Sequence, residues 1–168
     1  MPKQLQPIAG AIVAPRGFKA AGVFCDIKRL GTGKGSEKGR KRDLALIVSE
    51  VPATAAGLFT TNQVKAPPVQ LSIRRVATGR AQAIVANSGN ANASTGRQGL
   101  RDAEQMAAET ARILDLPHRL VLVASTGRIG VRLPMANVLA GIRKAAPCLG
   151  GTPELAAEAA EALMTSDT

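Results

Sequence analysis

Two short apolar runs, Ala83-Ile84-Val85-Ala86 and Val121-Leu122-Val123-Ala124, constrain this chain more than any other feature. Each is too short for a helix and reads as a strand. Between them Ala103, Met106, Ala107, Thr110, Ile113 and Leu114 recur at three- and four-residue steps, with Arg101, Glu104, Glu109 and Arg112 mostly opposite, the pattern of an amphipathic helix. A third continuous run, Leu44-Ala45-Leu46-Ile47-Val48, predicts a central strand buried on both faces and ended by Pro52. Residues 17–27 predict a first strand, with Phe18, Val23 and Phe24 as core candidates. Residues 55–60 read as a further strand, and residues 69–71 follow an extended Pro67-Pro68 pair.

Two more helices are expected. One starts with Pro134 in its first position, turns Val138, Leu139 and Ile142 inward, and stops at Pro147. The other has Thr152 as N-cap and Pro153 at its first position, and would bury Leu155, Ala159, Ala162 and Leu163. Strands followed by helices predict a layered sheet-and-helix α/β domain, one domain over residues 1–168.

Composition narrows the classes that remain. With 168 residues, 45% of them hydrophobic, the chain has enough for one core, and disorder is not the expected state. Three Phe and no Trp or Tyr leave Ala, Val, Ile, Leu and Gly to fill that core, so helices must approach the sheet closely. No apolar stretch reaches the roughly 20 residues of a membrane span. The short apolar stretch from Ile8 to Ala14 lacks a strongly charged start and runs into Pro15-Arg16-Gly17, which argues against a signal peptide. Cys25 and Cys148 are far apart, outside any CxxC, and read as buried small hydrophobes in a reducing compartment, hence a cytoplasmic protein. The single histidine, His118, follows Pro117 and reads as a solvent-facing loop residue, so a metal site is not expected.

The formal charge of +10 points toward nucleic acid until its distribution is examined. Lys28, Arg29, Lys34, Lys38, Arg40, Lys41 and Arg42 supply seven positive charges against one acid, Glu37. Residues 28–42 thus read as a flexible, solvated, glycine-rich basic loop. The loop departs from the phosphate-loop pattern because Gly35 follows Lys34, and from GxGxxG in both registers. Without stacking aromatics beyond Phe18, Phe24 and Phe59, a nucleic-acid-binding role is the weaker alternative.

Candidate chemistry sits after two strands. Residues 83–86 lead into Asn87-Ser88-Gly89-Asn90-Ala91-Asn92-Ala93-Ser94-Thr95-Gly96, and residues 121–124 into Ser125-Thr126-Gly127-Arg128-Ile129-Gly130. Strand ends are where α/β sheets bind ligands, and small residues let a substrate approach backbone N–H donors. Ser125-Thr126-Gly127 offers a hydroxyl and amides for a developing oxyanion. Turn formation alone also explains such residues. Nothing in the chain pairs a nucleophile with an evident base.

Six blocks in order carry a family resemblance. They are Gly17-Phe18-Lys19-Ala20-Ala21-Gly22, Asp43-Leu44-Ala45-Leu46-Ile47, Phe59-Thr60-Thr61-Asn62-Gln63-Val64-Lys65-Ala66, the segment from Asn87 to Gly96, Ser125-Thr126-Gly127-Arg128-Ile129-Gly130 and Met164-Thr165-Ser166-Asp167-Thr168. The chain resembles the α-chain portion of the ornithine acetyltransferase (glutamate N-acetyltransferase) family of arginine biosynthesis. The resemblance implies that family's layered α/β fold and a precursor that cleaves itself into α and β chains, assembled as an α2β2 heterotetramer. A threonine at the start of the β chain is the nucleophile, and acetyl moves from N-acetylornithine to glutamate through an acetyl-enzyme. No cofactor is implied, although some members accept acetyl-CoA as a co-substrate. Carried over by position, Thr126 and Gly127 match the oxyanion-hole pair and Thr165 a substrate-binding threonine, while the nucleophile lies outside these residues. Ser94 stands where the family usually has Cys, Ser166 where it has Thr, and Arg128 where an apolar residue is common. Arg128 keeps open a paralogue acting on another acyl-amino acid.

Overall fold

The computed structural model describes residues 6–28 and 41–165. Its centre is a four-stranded sheet in sequence order, β1 (Phe18–Val23), β2 (Leu44–Thr54), β3 (Arg80–Asn90) and β4 (Val121–Arg128). β1 and β3 pair antiparallel with β2, whereas β4 lies parallel to β3. Helices α1 (Pro67–Val76), α2 (Gly96–Leu114), α3 (Met135–Ala145) and α4 (Pro153–Leu163) complete the fold, and α2 is the crossover that a parallel pair requires.

Side-chain alternation divides the helices between the two faces. The register aligns Ala21, Leu46, Val85 and Val123 in one row across the sheet, and these pack with Leu71 of α1, Met106 and Ala107 of α2, and Val138 and Ile142 of α3. The neighbouring row, Gly22, Ala45, Ala86 and Ala124, points to the other face. That row is all small, and α4 lies directly on it over β1: a Cβ at Gly22 would stand 2.0 Å from the Glu158 carbonyl oxygen. Only small residues permit so close a contact, as a core nearly free of aromatics demands. α4 does not extend over β4, where Ala124 and Thr126 remain exposed.

The helix expected at residues 103–114 is present, as is the Thr152 cap, whose hydroxyl accepts the Leu155 N–H at 3.4 Å; the helix expected to start with Pro134 begins at Met135, with Pro134 as its N-cap. Several expectations need correction. β2 does not stop at Pro52 but runs to Thr54, with its register to β3 shifted between Val48 and Ala53, a bulge that accommodates the proline at the sheet's end. Residues 55–60 form no strand. The Pro67-Pro68 pair starts α1, because the first helical positions have no intrahelical use for the missing N–H groups. In α4, Ala156 takes the buried place expected of Leu163, which is 38% exposed. Cys148 is exposed and Cys25 half-buried.

Candidate active site

β3 and β4 do not end where their apolar runs end. The segments expected as turns are the last residues of two parallel strands, paired Asn87↔Ser125, Ser88↔Thr126, Gly89↔Gly127 and Asn90↔Arg128. Each supplies the other's backbone partners, so polar residues with weak strand preference are held extended. The pairing continues past the strands, with Ala91 N–H donating to Arg128 O and Gly130 N–H to Ala93 O.

The density of asparagines has a structural explanation. Asn87, Asn90 and Asn92 are fully buried. The Asn87 amide donates to Asn90 O and accepts from the Ser125 hydroxyl at 2.6 Å. The Asn90 amide donates to Val131 O and Arg132 O, and the Asn92 amide to Gly99 O, while Thr95 donates to the Asn92 side chain. These side chains replace backbone pairing where the strands give way to loops, and they fix the floor on which the site rests.

Thr126 points to the same face as its partner Ser88, whose hydroxyl donates to Ala162 O of α4 at 2.6 Å. Thr126 is exposed, and its hydroxyl makes no hydrogen bond with other described residues. Gly127 has φ +126°, and a Cβ there would lie 2.4 Å from the Gly89 carbonyl carbon. Gly89, at φ +96°, is covered in turn by Lys28, whose Cα a Cβ at Gly89 would meet at 2.5 Å. Three backbone segments, at residues 28, 89 and 127, therefore stack without side chains between them. Thr165 lies just past α4, half-buried, three residues after the Ala162 carbonyl held by Ser88. The fold thus brings Thr126, Gly127 and the α4 end that carries Thr165 to one side of the sheet. His118 is at the opposite end of β4, half-exposed, with Nε2 3.0 Å from the Arg75 guanidinium, and contributes nothing here.

Sequence reasoning missed the polar clasp beside this site. Residues 29–40 of the expected basic loop lie outside the described residues, but Lys28 and Arg42 at its two ends are tied to the fold. Lys28 is 8% exposed and donates from Nζ to Arg42 O at 2.6 Å and Glu161 O at 3.4 Å. Arg42 forms ion pairs with Glu158 and Glu161 of α4, and its N–H also donates to Glu161. Burial pushes the Glu161 carboxyl up, yet the Arg42 hydrogen bonds outweigh it and hold the pKa below the usual carboxylate value. Asp43, fully buried, accepts from the N–H groups of Cys25, Ile27 and Lys28 at 2.7, 2.6 and 3.1 Å. The signal available in sequence was the Arg42-Asp43 pair at the foot of a buried strand, where an acid without a role is rare.

Among the described residues no group of three or more His, Cys, Asp or Glu side chains could hold a metal ion, and no helix is long and apolar enough to cross a membrane.

Known proteins are similar to this chain along nearly its whole length. The arginine biosynthesis bifunctional protein ArgJ of Symbiobacterium thermophilum is 55% identical over 161 residues, which are 96% of this chain. The ArgJ of Caldanaerobacter subterraneus is 49% identical over 98% of it. This chain spans 38% of the length of each of these relatives. Among solved structures, the ornithine acetyltransferase of Mycobacterium tuberculosis in complex with ornithine is similar with a TM-score of 0.87 and 41% identity, covering 98% of this chain and 83% of that one. The arginine biosynthesis bifunctional protein of Bacillus halodurans gives 0.84 and 39%, covering 94% and 76%. The ArgJ family model matches residues 19–168, and with identity this high along the same stretch the chain belongs to the ArgJ family.

Proposed function

We propose that this chain is the α portion of a self-cleaving glutamate N-acetyltransferase, and that it supplies the oxyanion hole for acetyl transfer from N-acetylornithine to glutamate. The observation that carries the reading is the exposed Thr126-Gly127 pair at the end of β4, held by Gly89 on a floor of buried asparagines. In this mechanism the β-chain threonine attacks the acetyl carbonyl carbon. The carbonyl π electrons move to oxygen, and the Thr126 hydroxyl and Gly127 N–H donate to that oxyanion. Collapse breaks the carbon–nitrogen bond, and ornithine leaves with a proton. The α-amine of glutamate then attacks the acetyl-threonine ester, passes through a second oxyanion in the same hole, and frees the threonine hydroxyl. Donors that are fixed before reaction favour the transition state over the ground state. Acetyl-CoA would enter as an alternative donor to the same ester.

Two further observations support a second chain. Among the described residues, none pairs a nucleophile with a base near Thr126. The sheet face beyond α4 is also apolar and incompletely covered, with Phe18, Ile47, Ile84 and Leu122 lining a cavity of about 180 Å³. The reading places the protein in the cytoplasm as an α2β2 assembly, with no nucleic acid or membrane as partner. One alternative within the same chemistry is a paralogue acting on another acyl-amino acid, since Arg128 stands beside Gly127 where an apolar residue is common.

The test is to assay residues 1–168 alone, and coexpressed with the proposed β chain, for acetyl transfer from N-acetylornithine to glutamate. The expected result is no turnover alone and turnover with both chains. Turnover by residues 1–168 alone would overturn the split-site reading, and transfer only from a different acyl-amino acid would select the paralogue.

A further inference from the structure

We propose that Arg42 is a positioning residue for the acyl-transfer site, holding the C-terminal turn of α4, and with it Thr165, in register with the Gly89–Gly127 contact. The inference rests on the acyl-transfer reading given above.

The argument begins with how little apolar grip α4 has. Its buried side chains are Ala156, Ala159 and Ala162, and Leu163 at its end is 38% exposed. A stripe of alanines over the small residues of β1 and β2 makes a smooth contact, which sets the distance between helix and sheet but resists sliding and rotation weakly. Polar contacts must fix those two degrees of freedom at the C-terminal end. The Arg42 guanidinium reaches Glu158 with Nη2 and Glu161 with Nη1, one turn apart on α4, and so fixes the helix's rotation as well as its height. The Lys28 ammonium and the Ser88 hydroxyl bind the carbonyls of Glu161 and Ala162.

Glu161, in the last turn, is poorly placed for the helix itself. A carboxylate near a helix C-terminus opposes the macrodipole, and the last turn of α4 has no basic residue to offset it. The partner of both Glu158 and Glu161 is Arg42, two residues before β2.

The next residue does the complementary task. Asp43 binds three amides of the turn at residues 25–28, and Lys28 of that turn backs Gly89, which backs Gly127. Adjacent residues of one chain therefore hold the two halves of the site. Asp43 holds the Gly127 half and Arg42 the Thr165 half.

Arg42 is suited to the test because its side chain is 35% exposed, and its pairs with Glu158 and Glu161 are equally accessible. Both pairs are part-buried, so thermal midpoints are recorded beside the kinetics to separate a loss of stability from a loss of positioning. Arg42→Ala and Arg42→Lys would be compared with wild type in the full-length, self-cleaved protein. Active sites would be titrated by the acetyl-enzyme burst, and thermal midpoints recorded. Arg42→Ala is expected to raise KM for the acetyl donor roughly tenfold, since a displacement of even about 1 Å is costly in a positioned site, with kcat changed much less. Arg42→Lys should recover part of this, because an ammonium can pair with one carboxylate but cannot span both. Wild-type KM and kcat in Arg42→Ala would overturn the proposal. So would a lower titre of active sites with unchanged constants per site, which is the signature of a merely structural role. A wild-type protein without acetyl transfer would instead defeat the acyl-transfer reading, so the two failures are distinguishable.

Discussion

Replacing Gly127 with alanine puts the candidate site under the most direct test the geometry allows. The new methyl carbon would sit 2.4 Å from the Gly89 carbonyl carbon and 2.7 Å from the Asn90 nitrogen, where ordinary contact begins at 3.4 Å. β4 must therefore retreat from β3 by about 1 Å where strands are normally about 4.8 Å apart. The backbone adds its own cost, because φ +126° is a conformation that alanine adopts only under strain of roughly 1–3 kcal/mol. Overpacking of this kind costs typically about 1–3 kcal/mol. The two are not additive, since the movement that relieves the clash also relaxes the dihedral, so the net loss is about 2–4 kcal/mol. With a mid-range urea m-value of about 2 kcal/mol/M, the unfolding midpoint falls by about 1–2 M. Far-UV circular dichroism is the suitable probe on residues 1–168, since the chain has neither Trp nor Tyr. If the proposed oxyanion hole operates, the same displacement in the full-length protein would move the Gly127 N–H away from the reacting oxygen, and turnover would drop by roughly 10². An unchanged midpoint would show that Gly127 and Gly89 do not touch as described. A lowered midpoint with wild-type turnover would remove the Gly127 N–H from the mechanism.

Thr126→Ala is expected to do the reverse. The side chain is exposed, so stability should stay within about 0.5 kcal/mol. Under the proposed function, turnover of the full-length protein, measured on any cleaved fraction, should drop by roughly 10²–10³, about 3–4 kcal/mol, with KM nearly unchanged, and a wild-type rate would exclude the hydroxyl from catalysis. Glu109 provides a pH prediction remote from the site. Hydrogen bonds from the Arg112 and Arg143 guanidiniums outweigh its burial and hold its carboxyl down at about 2. A depressed carboxylate pKa stabilises the fold above the unfolded value of about 4.3, and that contribution is lost as pH falls toward 2. Because Arg112 and Arg143 are 65% and 58% exposed, the loss is only about 1 kcal/mol. Glu109→Gln should lack this part of the acid slope in urea midpoints measured between pH 5 and 2, and an identical slope would contradict the assignment.

The sequence by itself determined the elements whose cause is local. Apolar runs at residues 44–48, 83–86 and 121–124 became strands, and the periodic stretch around Met106 became α2, because burial and period are both written in a dozen neighbouring residues. Thr152 could be recognised as a cap since its hydroxyl reaches an amide three residues on. The order of six short blocks indicated the family before any geometry was known, and the high identity to relatives agrees.

Tertiary structure alone decided the extent of β3 and β4 and the fate of the basic segment's ends. Asn87-Ser88-Gly89-Asn90 and Ser125-Thr126-Gly127-Arg128 have the composition of turns, and become strand only because each meets the other's hydrogen-bonding groups some 38 positions away in the chain. Lys28 and Arg42 look like members of a solvated charge run, but the acids that bind Arg42 lie on α4, more than a hundred residues later. Local sequence fixes what a segment prefers. Pairing between distant segments decides whether a backbone amide, a hydroxyl or a charge finds its partner, and that pairing is what gathers Thr126, Gly127 and Thr165 on one side of the sheet.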